Sequence, residues 1–560
     1  MVVDHVFGAR RARPMTFVCS ALIALALIAA SCSSSGSNST SSDTSGTAAA
    51  LTGTNITVAD PGTPKSGGTL KVGLNAETNG WSPSQSQWAG SAYIVAGAIF
   101  DYMAEYDTDG VAKPFLAQSI TPNEDFTKWT IKTRPGVTFQ NGEPCDSAAL
   151  KKNFEAQRKS ILTGPVFQVV TSIDTPDDST VVFTMNQPWS TFTDTMATQV
   201  GAIAAPAMID SPDGGVNNPI GTGPFSFVNW VRDGNLEVKK NPTYWRQGLP
   251  YLDAVDFQVI PDISTRSSAI QAGTVDMIEM GESNQIIQLT KAAEAGKLQM
   301  YTNAGLQTNE TFSALNVGAP PFDDPLARQI VAYGTDRDTL SKSVFAGVFP
   351  AALGPFNNTE PAYTSTDMPT FDQAKAKQLA DQYAQENGKP LEFTYMLTPQ
   401  PEVQALGTSL KAEMEDIGVK LTLRIEDQAT LIQDIILGNY QASGFVLFGA
   451  NTLDVNYVFI SNKTVAPVGQ LSLNFTRNSD PVLTQALDDA RKTSDRAAQN
   501  AQYKIVQDQM AKDLNMIFIA HNIDAIVYSN STHGLVGQTL PDGSTAQTSA
   551  VPNLGSAWKS

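Results

Sequence analysis

In the second half of the chain, segments whose apolar residues recur with the period of a helix alternate with segments that have the period of a strand. This alternation limits the folds that the chain can adopt. The stretch FDQAKAKQLADQYAQENGKP places Ala376, Leu379, Ala380 and Tyr383 on one helical face, and the stretch QALGTSLKAEMEDIG predicts a second such helix. The segments VKLTLRI and SGFVLFGA are predicted to be strands on either side of a further helix, DQATLIQDIILGNY. Helices and strands in alternation predict an α/β protein with mixed sheets.

The first half is richer in strand patterns. The stretch GGTLKVGLNAE alternates apolar and polar residues, and KWTIKTRPGVTFQNGEP does the same before a Pro-Gly turn and an Asn-Gly turn. The segments TVVFTMNQP and GNLEVKKNP predict two further strands, each closed by a proline.

The N-terminus has the pattern of an export signal. Arg10, Arg11 and Arg13 precede an apolar stretch over residues 15–30, which is shorter than the roughly 20 residues of a membrane-spanning helix. Ala29-Ala30-Ser31-Cys32 resembles the lipobox of bacterial lipoproteins, in which the signal is cut before a cysteine that then carries acyl chains. The resemblance predicts a signal peptide over residues 1–31 and lipidation of Cys32. The alternative is ordinary cleavage near the Ala-Ser pair, with Cys32 an incidental thiol.

Residues 32–66 are dominated by Ser, Thr, Gly and Ala and contain no aromatic residue. They cannot bury a core and are predicted to be a disordered tether, with a root-mean-square reach of roughly 30–35 Å. Cys19 lies in the predicted signal, so lipidation of Cys32 would leave Cys145 alone in the mature chain. An internal disulfide is then impossible, and the hydrophobic core must stabilise the fold.

Charge and motif content exclude several classes of function. The formal net charge of −18 disfavours nucleic acid and anionic lipid headgroups as partners. His521 and His533 are the histidines beyond the signal, and the HExxH, GxSxG and Walker motifs are absent from the sequence. We therefore predict no enzyme activity, no cofactor and no metal site. A pair of carboxylates from distant segments remains open as an alternative, which would make the chain an exported hydrolase.

Four stretches in order carry a resemblance to a known family. Residues 129–144 read WTIKTRPGVTFQNGEP, and residues 218–277 contain GTGP, NPTYW, YLD and GTVD. Residues 315–347 contain PPFDD followed by DRDTL, and residues 438–451 read GNYQASGFVLFGAN. Over residues 65–560 the chain resembles the solute-binding proteins of family 5, which serve ABC importers for peptides, nickel and related solutes.

The resemblance implies an α/β, two-lobed, periplasmic-binding-protein-like fold with mixed sheets, a central ligand cleft and an extra inserted domain. Mapped on this sequence, it predicts lobe I over residues 67–107, 220–306 and 525–560, the inserted domain over 108–219, and lobe II over 307–524. It also implies an ABC permease and its ATPase subunits as partners, a monomeric state, and a location in the periplasm or at the cell surface. No catalytic residue is then needed.

The cleft residues follow from the same resemblance. Members that bind peptides often place an aspartate, which meets the peptide ammonium, just after a tryptophan-containing strand. In the matching stretch FGANTLDVN, Phe448 replaces the tryptophan, Asn451 takes the place of the aspartate, and Asp454 is the nearest carboxylate. A buried ammonium needs a charged partner, so either Asp454 takes this role or the ligand is not a free-amine peptide. Trp81 and Trp88 could stack on a ligand, with core packing as the alternative.

These expectations combine into one functional prediction, a lipid-anchored extracytoplasmic receptor that captures oligopeptides or a related small solute for an ABC importer. The alternatives are an exported hydrolase on a lipid tether and a surface receptor without a transport role.

Overall fold

The structure is a computed structural model, and the residues that it describes are 62–303, 308–447, 449–547 and 551–560. The predicted signal peptide, Cys32, most of the predicted tether and Phe448 lie outside the described residues.

The described part of the chain contains both helices and strands in alternation. The strands are β1 (Thr69–Leu74), β2 (Ala104–Tyr106), β3 (Ala112–Pro114), β4 (Ala117–Pro122), β5 (Lys128–Thr133), β6 (Val170–Asp177), β7 (Thr180–Met185), β8 (Phe225–Trp230), β9 (Asn235–Lys240), β10 (Ala254–Val259), β11 (Met277–Met280), β12 (Gln299–Thr302), β13 (Asn309–Leu315), β14 (Glu392–Leu397), β15 (Lys420–Ile425), β16 (Ala442–Leu447), β17 (Met516–Asn522), β18 (Ala525–Tyr528), β19 (Thr532–His533) and β20 (Trp558–Lys559). The α-helices are α1 (Gly90–Ile99), α2 (Ser147–Lys159), α3 (Phe192–Thr195), α4 (Pro206–Ile209), α5 (Ile263–Ala272), α6 (Ser283–Glu294), α7 (Pro325–Gly334), α8 (Arg337–Ser343), α9 (Gln373–Asn387), α10 (Pro401–Asp416), α11 (Gln428–Leu437), α12 (Tyr457–Ile460), α13 (Pro481–Ala490) and α14 (Arg496–Asp513).

The largest sheet has seven strands in the order β12-β18-β11-β1-β10-β9-β8. Strand β1 lies in its middle and pairs in parallel with β10 and β11, whereas β9 and β18 pair with their neighbours in antiparallel fashion. Leu70 and Val72 are fully buried there. The sheet is therefore mixed, and it collects three separate parts of the sequence.

A second mixed sheet has five strands in the order β15-β14-β16-β13-β17. Helices α9 and α10 lie between its strands in sequence, as their hydrophobic periodicity predicts. The side chain of Asp372 caps α9 by accepting a hydrogen bond from the backbone N–H of Lys375 at 2.9 Å. Gly388 ends the same helix in the left-handed conformation, with φ of 70°. The helix predicted in this stretch is thus present, and it ends at Gly388.

A third sheet has four strands in the order β4-β5-β7-β6, and all of its pairings are antiparallel. The alternating side chains of Trp129, Ile131 and Thr133 on β5 are buried on one face. These strands lie in sequence between β1 and β8, so this sheet is inserted into the run of strands that builds the largest sheet.

The sequence motifs in residues 218–277 hold segments of the fold together. An added Cβ on Gly223 would lie 2.6 Å from the carbonyl group of Ile99 at the end of α1, so only glycine fits there. The Tyr244 hydroxyl and the Trp245 indole N–H both donate to the buried carboxylate of Asp101, at 3.0 and 2.8 Å. These motif residues therefore contribute to the fold through contacts within the protein.

The apolar interior forms two large clusters. One surrounds β1, β10 and the four-stranded sheet and includes Trp129, Phe183 and Trp189. The other surrounds the five-stranded sheet and its helices and extends to α5, α6 and β12. The seven-stranded sheet contributes to both clusters, since Met277 and Ile526 belong to the first and Ile278 and Val527 to the second.

Candidate binding site

The chain passes between the two larger sheets twice, from β12 to β13 and from β17 to β18. The backbone N–H of Asp524 donates to the side-chain oxygen of Asn303 at 2.8 Å, and the Asn309 side chain donates to the Asp524 carboxylate at 2.7 Å. Burial raises the pKa of Asp524 to about 7, and the nearby carboxylates of Glu279 and Glu282 contribute to the rise. A short polar network therefore ties both crossings together, at the place where a hinge would lie.

A second polar contact joins the segment that follows β7 to the helices that follow β16. It buries charged and hydroxyl groups from elements that lie far apart in the sequence. We call this set of residues the polar seam, and its members are Trp189, Thr191, Asp194, Thr452, Asp454, Arg491, Arg496 and Tyr503.

Asp454 is the centre of the polar seam. Its Oδ1 atom lies 2.6 Å from Nε of Arg491, and the two side chains are 1% and 3% exposed. Its Oδ2 atom accepts hydrogen bonds from the Trp189 indole N–H at 3.1 Å and from the Thr191 hydroxyl. The Arg491 guanidinium also lies 3.8 Å from the ring centre of Tyr457. The ion pair thus has further hydrogen bonds of the kind that a buried pair needs.

The backbone strengthens this contact. The N–H of Ser190 donates to the carbonyl oxygen of Arg491 at 2.8 Å, and the Gln499 side chain donates to the Ser190 hydroxyl at 3.2 Å. The segment after β7 is thereby fixed against α13 and α14.

This geometry bears on the prediction that Asp454 meets a peptide ammonium. Both of its oxygens are engaged inside the protein, and its charge is offset by Arg491. A ligand ammonium would have to displace a buried guanidinium, which is costly. In this arrangement Asp454 joins the two sides of the polar seam and is not free for a ligand.

Asn451 lies at the edge of the same contact. Its Nδ2 atom donates to Oε1 of Gln547 at 3.1 Å, and the backbone N–H of Gln547 donates to the carbonyl of Tyr106 at 2.8 Å. An added Cβ on Gly110 would lie 3.0 Å from the Asn451 side chain. The structure therefore brings Asn451 together with segments that lie far away in the sequence.

Trp81 is almost fully buried and packs edge-on against Trp230, with 5.3 Å between the ring centres. It lines a cavity no larger than a water molecule together with Glu77 and Ser91. The Glu77 carboxylate accepts a hydrogen bond from the Trp230 indole N–H at 2.7 Å. In this arrangement the ring of Trp81 has no room to stack on a solute.

Trp88 is also buried. Its indole N–H donates to the carbonyl of Gly80 at 3.1 Å, and its ring lies 5.8 Å from that of Phe100 and 6.0 Å from that of Tyr93. The structure thus places Trp88 in core packing, the alternative that the sequence left open.

Sequence reasoning did not identify Trp189, Asp194, Arg491, Arg496 or Tyr503. They lie in ordinary helix and loop patterns, and the partners of Asp454 are up to 265 residues away. No spacing rule links positions so far apart, and only the packing of the sheets brings them together.

Within the described ranges, no group of three or more histidine, cysteine, aspartate or glutamate side chains is placed to hold a metal ion. Among those same residues no helix is both long and apolar enough to span a membrane.

Solved structures of solute-binding proteins share this fold. The structure matches the periplasmic binding protein DppA of Helicobacter pylori, in complex with the peptide STSA, with a TM-score of 0.78 and 21% identity over 88% of this chain and 98% of the other. It matches the oligopeptide-binding protein AppA of Bacillus subtilis, in complex with a nonapeptide, with a TM-score of 0.77 and 19% identity over 89% of this chain and 100% of the other. These likenesses confirm the predicted fold class.

Sequence comparisons define the family. The model of the bacterial extracellular solute-binding proteins, family 5 Middle, matches residues 111–467, which is more than half of the chain. The glutathione-binding protein GsiB of Pectobacterium atrosepticum is 26% identical over 459 residues, 80% of this chain and 87% of the relative. The chain belongs to the bacterial extracellular solute-binding proteins of family 5, as its motifs predicted. It is a binding protein and not an enzyme, so the hydrolase alternative is excluded.

Proposed function

We propose that this protein is a lipid-anchored receptor that captures small peptides outside the cytoplasm and delivers them to an ABC permease. The observation that carries the proposal is the similarity to a glutathione-binding protein over 80% of the chain. Glutathione is itself a small peptide, so it is the first ligand to test. Separate ATPase subunits would supply the energy for transport, and the receptor would act as a monomer.

We place the ligand in a cleft between lobe I, with its inserted domain over residues 108–219, and lobe II over residues 307–524. The polar network around Asp524 at the two chain crossings supports a hinge at this boundary. The polar seam supports a closed form in which polar groups from both sides meet. A ligand with higher affinity for the closed form would shift the protein toward it.

The anchor belongs to the same proposal. Cys32 would carry the acyl chains, and residues 32–66 would form the tether between the membrane and the folded body. A reach of roughly 30–35 Å would keep the receptor close to its permease.

The test is calorimetry on the full-length protein, purified in mild detergent and refolded from urea to remove any retained ligand. Glutathione and a library of peptides of two to ten residues would be titrated, with free glucose as the matched negative control. Saturable binding of at least one peptide class without hydrolysis is expected. Absence of binding across the whole library would overturn the peptide assignment.

A further inference from the structure

Several carboxylates gather where the chain passes between the two larger sheets. They lie in the crossing from β17 to β18, near the end of β11, just before α6 and in the first turn of α10, and all are half-buried. We call them the crossing acids, and they are Asp524, Glu279, Glu282 and Glu402. Among the ion pairs of the described residues, Arg266 is the only cation in contact with them, with Nη2 lying 3.3 Å from the Glu282 carboxylate. Negative groups therefore outnumber positive ones at this place.

Glu402 joins the two sides of the crossing. Ser283 begins α6, which follows strand β11 of the seven-stranded sheet, whereas Glu402 lies on α10, between two strands of the five-stranded sheet. The Glu402 carboxylate accepts hydrogen bonds from the backbone N–H of Ser283 at 3.1 Å and from its hydroxyl at 2.5 Å. The residue before α6 provides no side-chain cap of its own, so Glu402 caps this helix from the other side. Hydrogen bonds of this length persist only while the two sides stay close together.

Asp524 and Glu279 are held in the same region by polar contacts. The Asn309 side chain, at the start of β13, donates to the Asp524 carboxylate at 2.7 Å. An added Cβ on Gly281 would lie 2.9 Å from Oδ1 of Asp524, so this carboxylate packs against the turn that leads into α6. The Glu279 carboxylate accepts a hydrogen bond from the backbone N–H of Asn75 at 2.7 Å. The crossing acids are thus assembled from neighbouring ends of strands and helices on both sides.

Burial changes the protonation of these groups. It raises the pKa of Glu402 to about 7, and the charge of Glu282 contributes to the rise. It raises the pKa of Asp524 to the same value, as described above. Burial also raises the pKa of Glu279, although Arg266 opposes the rise. Carboxyl groups in water have a pKa of about 4, so a separation of the two sides that exposes these groups to water would release protons.

The titratable groups on the side of the five-stranded sheet act in the same direction. Glu310 follows the crossing directly on β13, and burial raises its pKa, with a contribution from Glu360. Nδ1 of His521 lies 3.4 Å from the Glu310 carboxylate. Burial lowers the pKa of His521 to about 4, so this imidazole is neutral at the pH values at which the crossing acids titrate. It therefore does not offset their negative charge.

We propose that the crossing acids form a proton-linked hinge, in which closure of the two lobes takes up protons and mildly acidic solution favours the closed, ligand-binding form. This inference rests on the proposed function, because it uses the hinge placed at these crossings. Between about pH 4 and about pH 7 the acids are protonated in the closed form and ionised once water reaches them. Ionisation therefore does not oppose closure below about pH 4, and it opposes closure increasingly as the pH rises to about 7. Ligand affinity should fall over the same range.

The first experiment measures the proton linkage directly. Glutathione and tri-alanine would be titrated into the full-length protein by calorimetry at about pH 5.5 and about pH 7.5. The affinity should be at least about tenfold higher at the lower pH, since one carboxyl whose pKa rises from about 4 to about 7 on closure gives roughly 25-fold. Titrations near pH 6 in two buffers of different ionisation enthalpy should show uptake of about one proton or more per bound ligand. Equal affinities without proton uptake would overturn the inference and leave the proposed function standing.

The second experiment removes the ionisation and keeps the hydrogen-bond acceptors. Glu402→Gln and Asp524→Asn should each weaken the pH dependence, and the double variant should bind about tenfold more tightly than the wild type at about pH 7.5 and lose most of the proton uptake. Damage to the fold would weaken binding instead. The control Glu415→Gln changes an exposed carboxylate on the helix of Glu402 and should keep the wild-type pH dependence. A double variant with the full wild-type pH dependence would contradict the inference.

A third measurement needs no ligand. Lys239→Cys on β9 and Lys389→Cys before β14 place spin labels at exposed positions on the two sides of the crossing, and pulsed electron paramagnetic resonance would give the distance between the labels. The distance distribution of the ligand-free protein should change between about pH 7.5 and about pH 5.5, with little change when the double variant is added. A pH-dependent distance in a protein that binds no peptide would support the hinge and overturn the proposed function. A constant distance in such a protein would overturn both.

Discussion

Truncation of Asp454 tests whether the polar seam stabilises the fold in the way that its geometry indicates. The change Asp454→Ala removes one buried charge of an ion pair and two hydrogen-bond acceptor positions. It leaves the Arg491 guanidinium buried, along with the Trp189 indole N–H and the Thr191 hydroxyl. The expected result is a large loss of stability rather than the small effect of an ordinary surface substitution.

The size of the loss follows from the number of groups left without a partner. Breaking a buried ion pair from one side costs about 3–5 kcal/mol, because the remaining charge stays in a poorly polar environment. A hydrogen bond to a charged group contributes about 1.5–3 kcal/mol, so the two donors to Oδ2 place the expected value at the upper end, near 5 kcal/mol. Urea denaturation followed by tryptophan fluorescence would measure the shift in the unfolding transition.

Two comparison variants separate this reasoning from a general effect of mutation. Lys504→Ala breaks the exposed pair with Asp508, whose atoms are 2.9 Å apart, and should cost less than about 1 kcal/mol. The double change Asp454→Leu with Arg491→Met replaces both charges by apolar groups and should recover most of the loss. If the single change at Asp454 costs no more than the exposed control, or if the double variant is less stable than the single one, the reasoning is refuted.

Three further predictions follow from other parts of the chain. Burial raises the pKa of Glu310 well above its ordinary value of 4.5, and the neighbouring Glu360 contributes to the rise. Because folding then favours the protonated carboxyl, the free energy of unfolding falls as pH rises above about 4.5. Glu310→Gln should therefore unfold at higher urea concentration than the wild type at pH 7, with a difference that vanishes near pH 4; an equal difference at both pH values would contradict this. Gly223→Ala should lower the free energy of unfolding by about 2–3 kcal/mol, because the added Cβ would lie 2.6 Å from the Ile99 carbonyl group. The control Gly97→Ala meets open space and should be neutral or stabilising in the same urea assay. Cys32→Ala should move the protein from the membrane pellet to the soluble fraction, and wild-type protein that incorporates no labelled fatty acid would count against the anchor.

The local elements of this protein could be predicted from the sequence because their causes are local. A helix needs an apolar face with a period of 3.6 residues, a cap such as Asp372 and a stop such as Gly388, and all three lie within one short stretch. Strand β5 could be predicted from its alternation in the same way. The family motifs could also be read directly, and they gave the fold class and the kind of protein.

The contacts of the candidate site could not be predicted from short stretches, because they join residues from distant parts of the sequence. Asp454 looked like a free carboxylate in the sequence, yet Arg491 lies 37 residues away and Trp189 lies 265 residues away in the chain. Trp81 and Trp88 looked equally suited to a ligand or to a core, and packing placed both in buried contacts.

The sequence by itself indicated where many of the helices and strands lie, because capping, periodicity and turn chemistry act over a few residues. Its family motifs indicated a two-lobed solute-binding protein. The tertiary structure alone decided which charges meet. Burial and partner distance set whether a carboxylate is closed in an ion pair, as Asp454 is with Arg491. Both quantities are fixed only when the sheets and their helices pack together.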